Sequence, residues 1–487
     1  MWSMWFIRRF PARESSVPVL LPRSYSGCEC TYGSCAPGPV APRVPGRVGG
    51  VMPELHEQDV VVVGGGLAGL TVARELRHAG LEVVVLEARE RLGGRAHTAR
   101  LGGRDIELGG AHVHWLQPHV FAELTRYGIP YRPLPAPDRL AYWSEGRLNE
   151  ATLAEIGPRL AELFQRLFSD ARETFPLPYQ PFAVPDAVAA LDALSIRDRL
   201  DATELSTAER DLTGALLGTG TSAPLEDAGL LTMMREFALA GWDFGLWLDA
   251  NGACSLRTAD LVTALVADGD PVVRTSAPVS GIEQHDSTVS VATRDGGRFT
   301  SSAAVIAVPL NALGAVSFVP PLGDGKQAVI KAGQASRGVK LWALVSGVDE
   351  PVLALAPDSR RITLVTSWEL LDDGRQLLFA FGTDAARVPT GDENALRDTF
   401  RELLPPSARI EEVAAHDWWA DEYSRGTWGT SRPGQLTALP ALQAPEGRLV
   451  LAGGDIASGW TGTMDGAIES GLTAARTVAG LLGARTT

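Results

Sequence analysis

Residues 59–87 read DVVVVGGGLAGLTVARELRHAGLEVVVLE. The β-branched run Asp59–Val63 predicts a buried strand. Gly64, Gly66 and Gly69 follow in G-x-G-x-x-G spacing. Apolar residues then recur at helical spacing (Leu67, Leu70, Val72, Ala73, Leu76), and the pattern stops at Gly80. Glu82–Leu86 predicts a second strand, closed by Glu87 at 18 positions beyond Gly69. Gly64 permits the tight turn, Gly66 lets the backbone approach a pyrophosphate, and Gly69 lets helix and strand pack closely. The helix start, which includes Ala68, offers unpaired N–H groups to phosphate. Glu87 can accept both hydroxyls of a ribose. The glycine pattern alone is weak; with strand, helix and acid in place it specifies a Rossmann-like dinucleotide unit.

The surrounding chain has 487 residues, 45% hydrophobic and 21% charged, enough to bury a large core and to divide into two or three domains. Its net charge of −14 argues against a nucleic-acid partner, which needs basic stripes to displace counterions. No run of about eighteen apolar residues encodes a membrane-spanning helix, and Leu472–Leu482 is too short for a tail anchor. Four cysteines make no disulfide framework, so a reducing, cytoplasmic setting is expected. Residues 1–51 differ: six arginines against two glutamates, seven prolines and no periodicity. They read as a flexible extension or as sequence upstream of a start at Met52. Arg8–Arg9 as an export signal is the lesser reading, because its apolar core is broken by proline. Cys28, Cys30 and Cys35 lack a fourth partner, so no metal site is expected. Of 44 basic residues only three are lysines, Lys326, Lys331 and Lys340. Codon bias explains the total but not which three remain.

After Glu87 comes Ala88-Arg89-Glu90-Arg91-Leu92-Gly93-Gly94-Arg95, which would set further N–H groups and a guanidinium against a diphosphate. Here the sequence resembles the flavin-dependent amine oxidase family, which includes monoamine and polyamine oxidases. The resemblance implies FAD as cofactor, with Ala88, Arg89, Gly94 and Arg95 at binding positions. Glu107-Leu108-Gly109-Gly110-Ala111-His112 matches the segment beneath the flavin ring. Val279 matches the residue whose backbone meets the adenine, and Trp418 an aromatic residue against the flavin. The run Arg448–Ala452 ends in Gly453-Gly454-Asp455, a modest departure from the family's usual Gly-Thr-Glu or Gly-Asp-Glu. Trp460 to Gly471, through Thr463 and Met464, opens a helix running to about Leu482, whose N-terminal dipole would face the flavin pyrimidine.

The implied fold is α/β: a discontinuous Rossmann-like FAD-binding domain (55–115, 251–321 and 431–487) plus an α+β substrate-binding domain (116–250 and 322–430). Residues 116–250 are mostly helical in pattern, as in Leu153–Phe168 and Leu225–Ala240. Strand-like runs in the second insertion are Val339–Val345, Ile362–Ser367, Gln376–Phe381 and Glu412–Asp417. Where the family has a Gly-Gly turn, this chain has Arg257-Thr258-Ala259-Asp260, with Thr258 as a candidate helix cap.

The implied reaction takes a hydride equivalent from the carbon beside an unprotonated nitrogen to the flavin, giving an imine that hydrolyses to an aldehyde or ketone. Oxygen, giving hydrogen peroxide, or an electron carrier would be the acceptor. Lys340 matches the family lysine that holds a water against the flavin, whereas Lys326 and Lys331 read as solvated charges. Trp428 and Thr463 match the two walls of an aromatic cage around the substrate nitrogen. Threonine leaves half the cage open and bearing a hydroxyl, which favours a bulkier, cyclic or secondary amine. Thr427 stands where some members carry a flavin-linked cysteine, so FAD should be non-covalent. His112, His114, Trp115 and Trp242 are candidate cavity residues or core. The alternatives are an L-amino acid oxidase, disfavoured by His112 where those enzymes carry an arginine; a C–C desaturase, disfavoured by Lys340 and Trp428; and a non-catalytic flavin-binding interaction protein. A homodimer stays open as an assembly.

Overall fold

Val60–Val63 run through the centre of the first sheet and are buried on both faces. Val83–Leu86 and Arg298–Ile306 flank the strand Glu57–Val63 in parallel, with Val60 opposite both Val83 and Ala303. A central parallel strand needs an apolar residue at every position, which is what this run of valines supplies. These coordinates belong to a computed structural model that describes residues 57–484; the extension 1–51, with its arginine pair and three cysteines, lies outside the described residues. Val272–Arg274 extends the sheet beyond Val83–Leu86, and Leu449–Leu451 pairs the C-terminal half of Arg298–Ile306. Val289–Thr293, Val279–Gln284 and Ser317–Val319 continue the other edge. The helices Leu67–His78 and Met464–Leu482 pack on one face and share a core with it through Val72, Leu76, Ala475 and Val478.

A second sheet of seven strands is ordered Arg409–His416, Val339–Ser346, Gln376–Gly382, Leu364–Leu370, Leu353–Leu355, Arg139–Ser144, Arg147–Thr152. Its two outermost strands come from 116–250, a stretch that reads as mostly helical. The hairpin 139–152 alternates only weakly, since it adds a half-exposed edge and has no second face to bury. Leu153–Leu167 begins right after it with a capping box, Thr152 and Glu155 exchanging hydrogen bonds. The helix read over Leu225–Ala240 is shorter, Leu230–Leu239.

Two local readings are corrected. Thr258 is the first helical residue rather than the cap: Arg257 sits at the N-cap without a side-chain bond. Glu107 does the capping, accepting from Thr258 N at 3.1 Å and Thr258 Oγ1 at 2.5 Å. A carboxylate reaching in from another strand thus satisfies the helix start and makes a glycine turn unnecessary. Lys326 is not solvated. Its Nζ donates to the Ala444 carbonyl at 2.8 Å and pairs with Glu446 at 2.8 Å, and only 4% of the residue is exposed.

Candidate active site

One cleft runs from the glycine loop to the helices Thr207–Thr221 and Leu230–Leu239. Its first end is backbone. A side chain on Gly69 would put Cβ 2.0 Å from the Gly64 carbonyl, so only glycine lets the helix start sit on the turn. Gly66 faces the cleft with no atom closer than 3.9 Å to its missing Cβ, which leaves room for a phosphate to approach. Glu87 is buried; its oxygens accept from Gly65 N at 2.7 Å and Arg89 N at 2.9 Å and keep lone pairs for a ribose. Arg89 is held by Asp421 at 2.5 Å and Ser424 at 2.8 Å, and Arg95 by Asp455 at 2.8 Å and the Thr427 carbonyl at 2.9 Å. Burial would raise the Asp421 carboxyl, but His416 and Arg89 hold it down to about 2.

The middle of the cleft is floored by Gly109, Gly110, Ala111 and His112. Trp418 is 2% exposed, donates its indole N–H to the Leu108 carbonyl at 2.9 Å and lies on the cleft wall. It sits past the end of the strand Arg409–His416, so the opposite orientation of the exposed Trp419 comes from a turn and not from strand alternation. Lys340 comes from Val339–Ser346, opposite Phe381 and His416. Its Nζ donates to the Gly109 carbonyl at 3.2 Å and lies 5.1–5.7 Å from the rings of Trp342, Trp368, Phe379 and Phe381. Burial drives its pKa down to about 7, against the pull of Glu107. His112 packs on Phe379 and Trp368 with both ring nitrogens buried and unpartnered; burial, with Lys340 adding to it, lowers its pKa to about 3.

At the far end Trp428 donates its indole N–H to the Gly220 carbonyl at 2.9 Å and meets Phe381 edge-on. Thr463 lies on the cleft too, but its hydroxyl is engaged: it donates to the Trp460 carbonyl at 2.8 Å and accepts from Gly466 N at 3.2 Å, capping the last helix. The hydroxyl expected at this position is thus engaged in the helix cap, and what Thr463 offers the cleft is chiefly its small size.

Buried acceptors at Glu87, glycine loops that no Cβ could enter and a deep cleft beside them fit a dinucleotide whose second half extends toward Lys340. The family model for flavin containing amine oxidoreductases matches residues 67–479. The chain belongs to this family. A nicotine dehydrogenase of Pseudomonas putida is 36% identical, over 88% of this chain and 89% of that protein. A pseudooxynicotine dehydrogenase of a Pseudomonas species is 36% identical, over 85% of each chain. Among solved structures, cyclohexylamine oxidase from Brevibacterium oxydans IH-35A has a TM-score of 0.75 at 22% identity, covering 88% of this chain and 99% of its own, a likeness of fold. This amine oxidoreductase is a flavin-dependent, FAD-using enzyme with a mixed α/β fold, and among its described residues no helix is long and apolar enough to cross a membrane.

Of the residues singled out in the sequence, Gly64, Gly66, Ala68, Glu87, Ala88, Arg89, Gly94, Arg95, Val279, Gly454 and Met464 line the cleft with those already described. Gly69 and Asp455 stand behind it, one packing the helix and the other holding Arg95 and Leu310 N. His114, Trp115 and Trp242 do not line it; Trp115 is 59% exposed and Trp242 lies under Arg172. Sequence reasoning missed Phe381, Glu236 and Asn251, all on the cleft wall. Nothing in their local spacing marks them, since each is one cleft-facing position on an otherwise ordinary strand or helix.

Proposed function

We propose that this amine oxidoreductase oxidises a cyclic or secondary amine carrying an aromatic ring, at a carbon beside nitrogen. The product imine is hydrolysed to a carbonyl compound, and two electrons and two protons pass to oxygen as hydrogen peroxide. The observation that carries this is that Trp428, bonded to Gly220, and a small, hydroxyl-occupied Thr463 both line the cleft, an aromatic residue and a small one at the two positions that resemble the family's cage. The names of the nicotine-oxidising relatives support the same substrate class. FAD, when bound, supplies the hydride acceptor. Trp428, fixed by Gly220, offers an electron-rich face that orients the amine. The apolar walls, Phe381 among them, exclude water and favour the neutral amine that hydride loss requires. Lys340, pushed toward its neutral form, holds a water or a proton at Nζ beside the Gly109 carbonyl. Cys254, the one cysteine among the described residues, lies off the cleft, which supports non-covalent FAD.

Anaerobic stopped-flow mixing with a panel of cyclic, secondary and small primary amines tests the reading. Bleaching is expected fastest with 2-arylpyrrolidine-type amines, rising with pH as the free base forms; no bleaching by any amine, or a preference for benzylamine, would overturn it. Acid precipitation should release all yellow colour from the pellet. A carrier in place of oxygen is the second reading, supported by two relatives being named dehydrogenases. Slow reoxidation of the bleached enzyme by air-saturated buffer would select it.

A further inference from the structure

The helical wall of the cleft holds a carboxyl that the proposed oxidation leaves unused. Glu236 lies on Leu230–Leu239, between Thr219 and Gly220 on one neighbouring helix and Ala250 and Asn251 on another. Three glutamates line the cleft, and two are engaged. Glu87 accepts backbone N–H groups from Gly65 and Arg89, and Glu422 pairs with Arg294. Glu236 makes no close ion pair among the described residues: Arg235, whose charge acts on it through space, hydrogen-bonds the Thr461 hydroxyl instead. Burial pushes the Glu236 carboxyl up to about 7, while Asn251 and Trp247 on the next helix donate toward it and pull the other way. Asn251 also spends its Nδ2 on the Trp247 carbonyl at 2.9 Å, which leaves its side-chain oxygen as a second acceptor.

A chain of contacts links this acid to Trp428. Trp428 is bonded to Gly220; a side chain on Gly220 would meet Met233 Sδ at 3.0 Å and Trp247 Cζ2 at 3.4 Å; and Trp247 faces Glu236. The carboxyl is therefore linked to Trp428 through Gly220 and Trp247, and it lines the same cleft. Asn251, Trp247 and the charge of Arg235 offset only part of the cost of desolvating this carboxyl, and a ligand cation reaching it from the cleft would offset more.

We propose that Glu236 is the docking point for a second, N–H-bearing group of the substrate. The amines this cleft selects are bifunctional: the reacting carbon lies between Trp428 and Thr463, and an ammonium or other N–H donor lies on Glu236 with Asn251 beside it. This deepens the amine-oxidation reading and rests on it. Specificity follows because an amine without the second group leaves Glu236 without a close ion pair.

The test compares 2-phenylpyrrolidine with its 3- and 4-aminomethylphenyl analogues, which add a cationic arm to one scaffold. Binding is measured by calorimetry to dithionite-reduced holoenzyme, which cannot turn over, and kcat/KM is measured on the oxidised enzyme. At least one armed analogue should bind about tenfold or more tightly than the parent. Glu236→Gln should bring that ratio down to within about threefold of one, and Glu236→Asp should restore part of it. No gain for either arm in the wild type, or a gain that survives in Glu236→Gln, overturns the proposal. The wild-type comparison stands even if a variant fails to fold. Armed analogues that bind reduced enzyme tightly while no amine bleaches the flavin would sink the oxidation reading and keep the docking site; bleaching without the arm preference would do the reverse.

Discussion

The two ends of the cleft are built from different material. The dinucleotide end is backbone: glycines whose missing side chains make room, N–H groups at a helix start, and a carboxylate fixed by the backbone N–H groups of Gly65 and Arg89. The proposed amine end is side chains, Lys340, Trp428 and Glu236, each delivered by a different part of the chain. A backbone site has to be made by one local unit, so it leaves a short-range pattern in the sequence. A side-chain site is assembled from positions about 100 to 200 residues apart and leaves almost none.

The largest effect should come from breaking the backbone end. In Gly69→Val the new Cβ would lie 2.0 Å from the Gly64 carbonyl, so the helix start must move off the turn. Purified protein is expected to lose about nine-tenths or more of its flavin absorbance at 450 nm relative to 280 nm. Normal flavin content in this variant would mean that the loop does not hold the dinucleotide through its backbone.

This difference sets how much was legible. Asp59–Glu87 gave strand, helix, strand and acid with nearly the observed limits, because valine runs and glycine spacing are local facts. The segment 139–152 was not legible as sheet, since its strands take their meaning from an edge supplied 200 residues later. At the site, Lys340 and Trp428 were reached through resemblance to a family, while Glu236 was invisible: one acid on a helix reads as solvated until its neighbours are known. At Thr463 the sequence shows a small hydroxyl residue but does not say that the hydroxyl caps a helix. Lys326 reads as solvated because its partner Glu446 stands 120 positions away.

The next effect concerns Lys340. Lys340→Met should slow both flavin reduction and reoxidation by about 10- to 100-fold, measured by stopped-flow; unchanged rates would remove it from the chemistry. The same variant has a stability signature. The folded chain favours the neutral lysine, with a pKa near 7 against 10.5 when free. Between those values the unfolded chain binds more protons, so this group makes stability rise with pH. Lys340→Met removes that slope, and its gain in Tm over the wild type should be largest near pH 7 and vanish toward pH 10.5. A gain that grows with pH would contradict the sign.

A narrower change should come from Thr463→Tyr, which closes the open side of the cage. The preference for 2-phenylpyrrolidine over benzylamine, as kcat/KM, is expected to fall by roughly tenfold. Part of the helix cap is lost with the hydroxyl, at about 1 kcal/mol, so Tm falls by a few degrees as well. A shift in Tm without a shift in preference would mean that position 463 acts only as a cap.

The smallest effect separates the two buried lysines by what arginine does in their place. Lys326 meets a carbonyl and a carboxylate, and Glu446 keeps enough surface for water to reach the pair. A guanidinium can satisfy both acceptors there, so Lys326→Arg should change stability by less than about 1 kcal/mol and leave flavin content intact. Lys340 has one carbonyl and four rings around it, and Glu107, which acts on it through space, already accepts three hydrogen bonds from Thr98 and Thr258. A larger, permanently charged head finds neither room nor a partner there. In a chain that uses arginine for nearly every positive charge, Lys326→Arg being tolerated and Lys340→Arg not would assign the retention of Lys340 to its chemistry. Equal damage at both positions would assign it to packing.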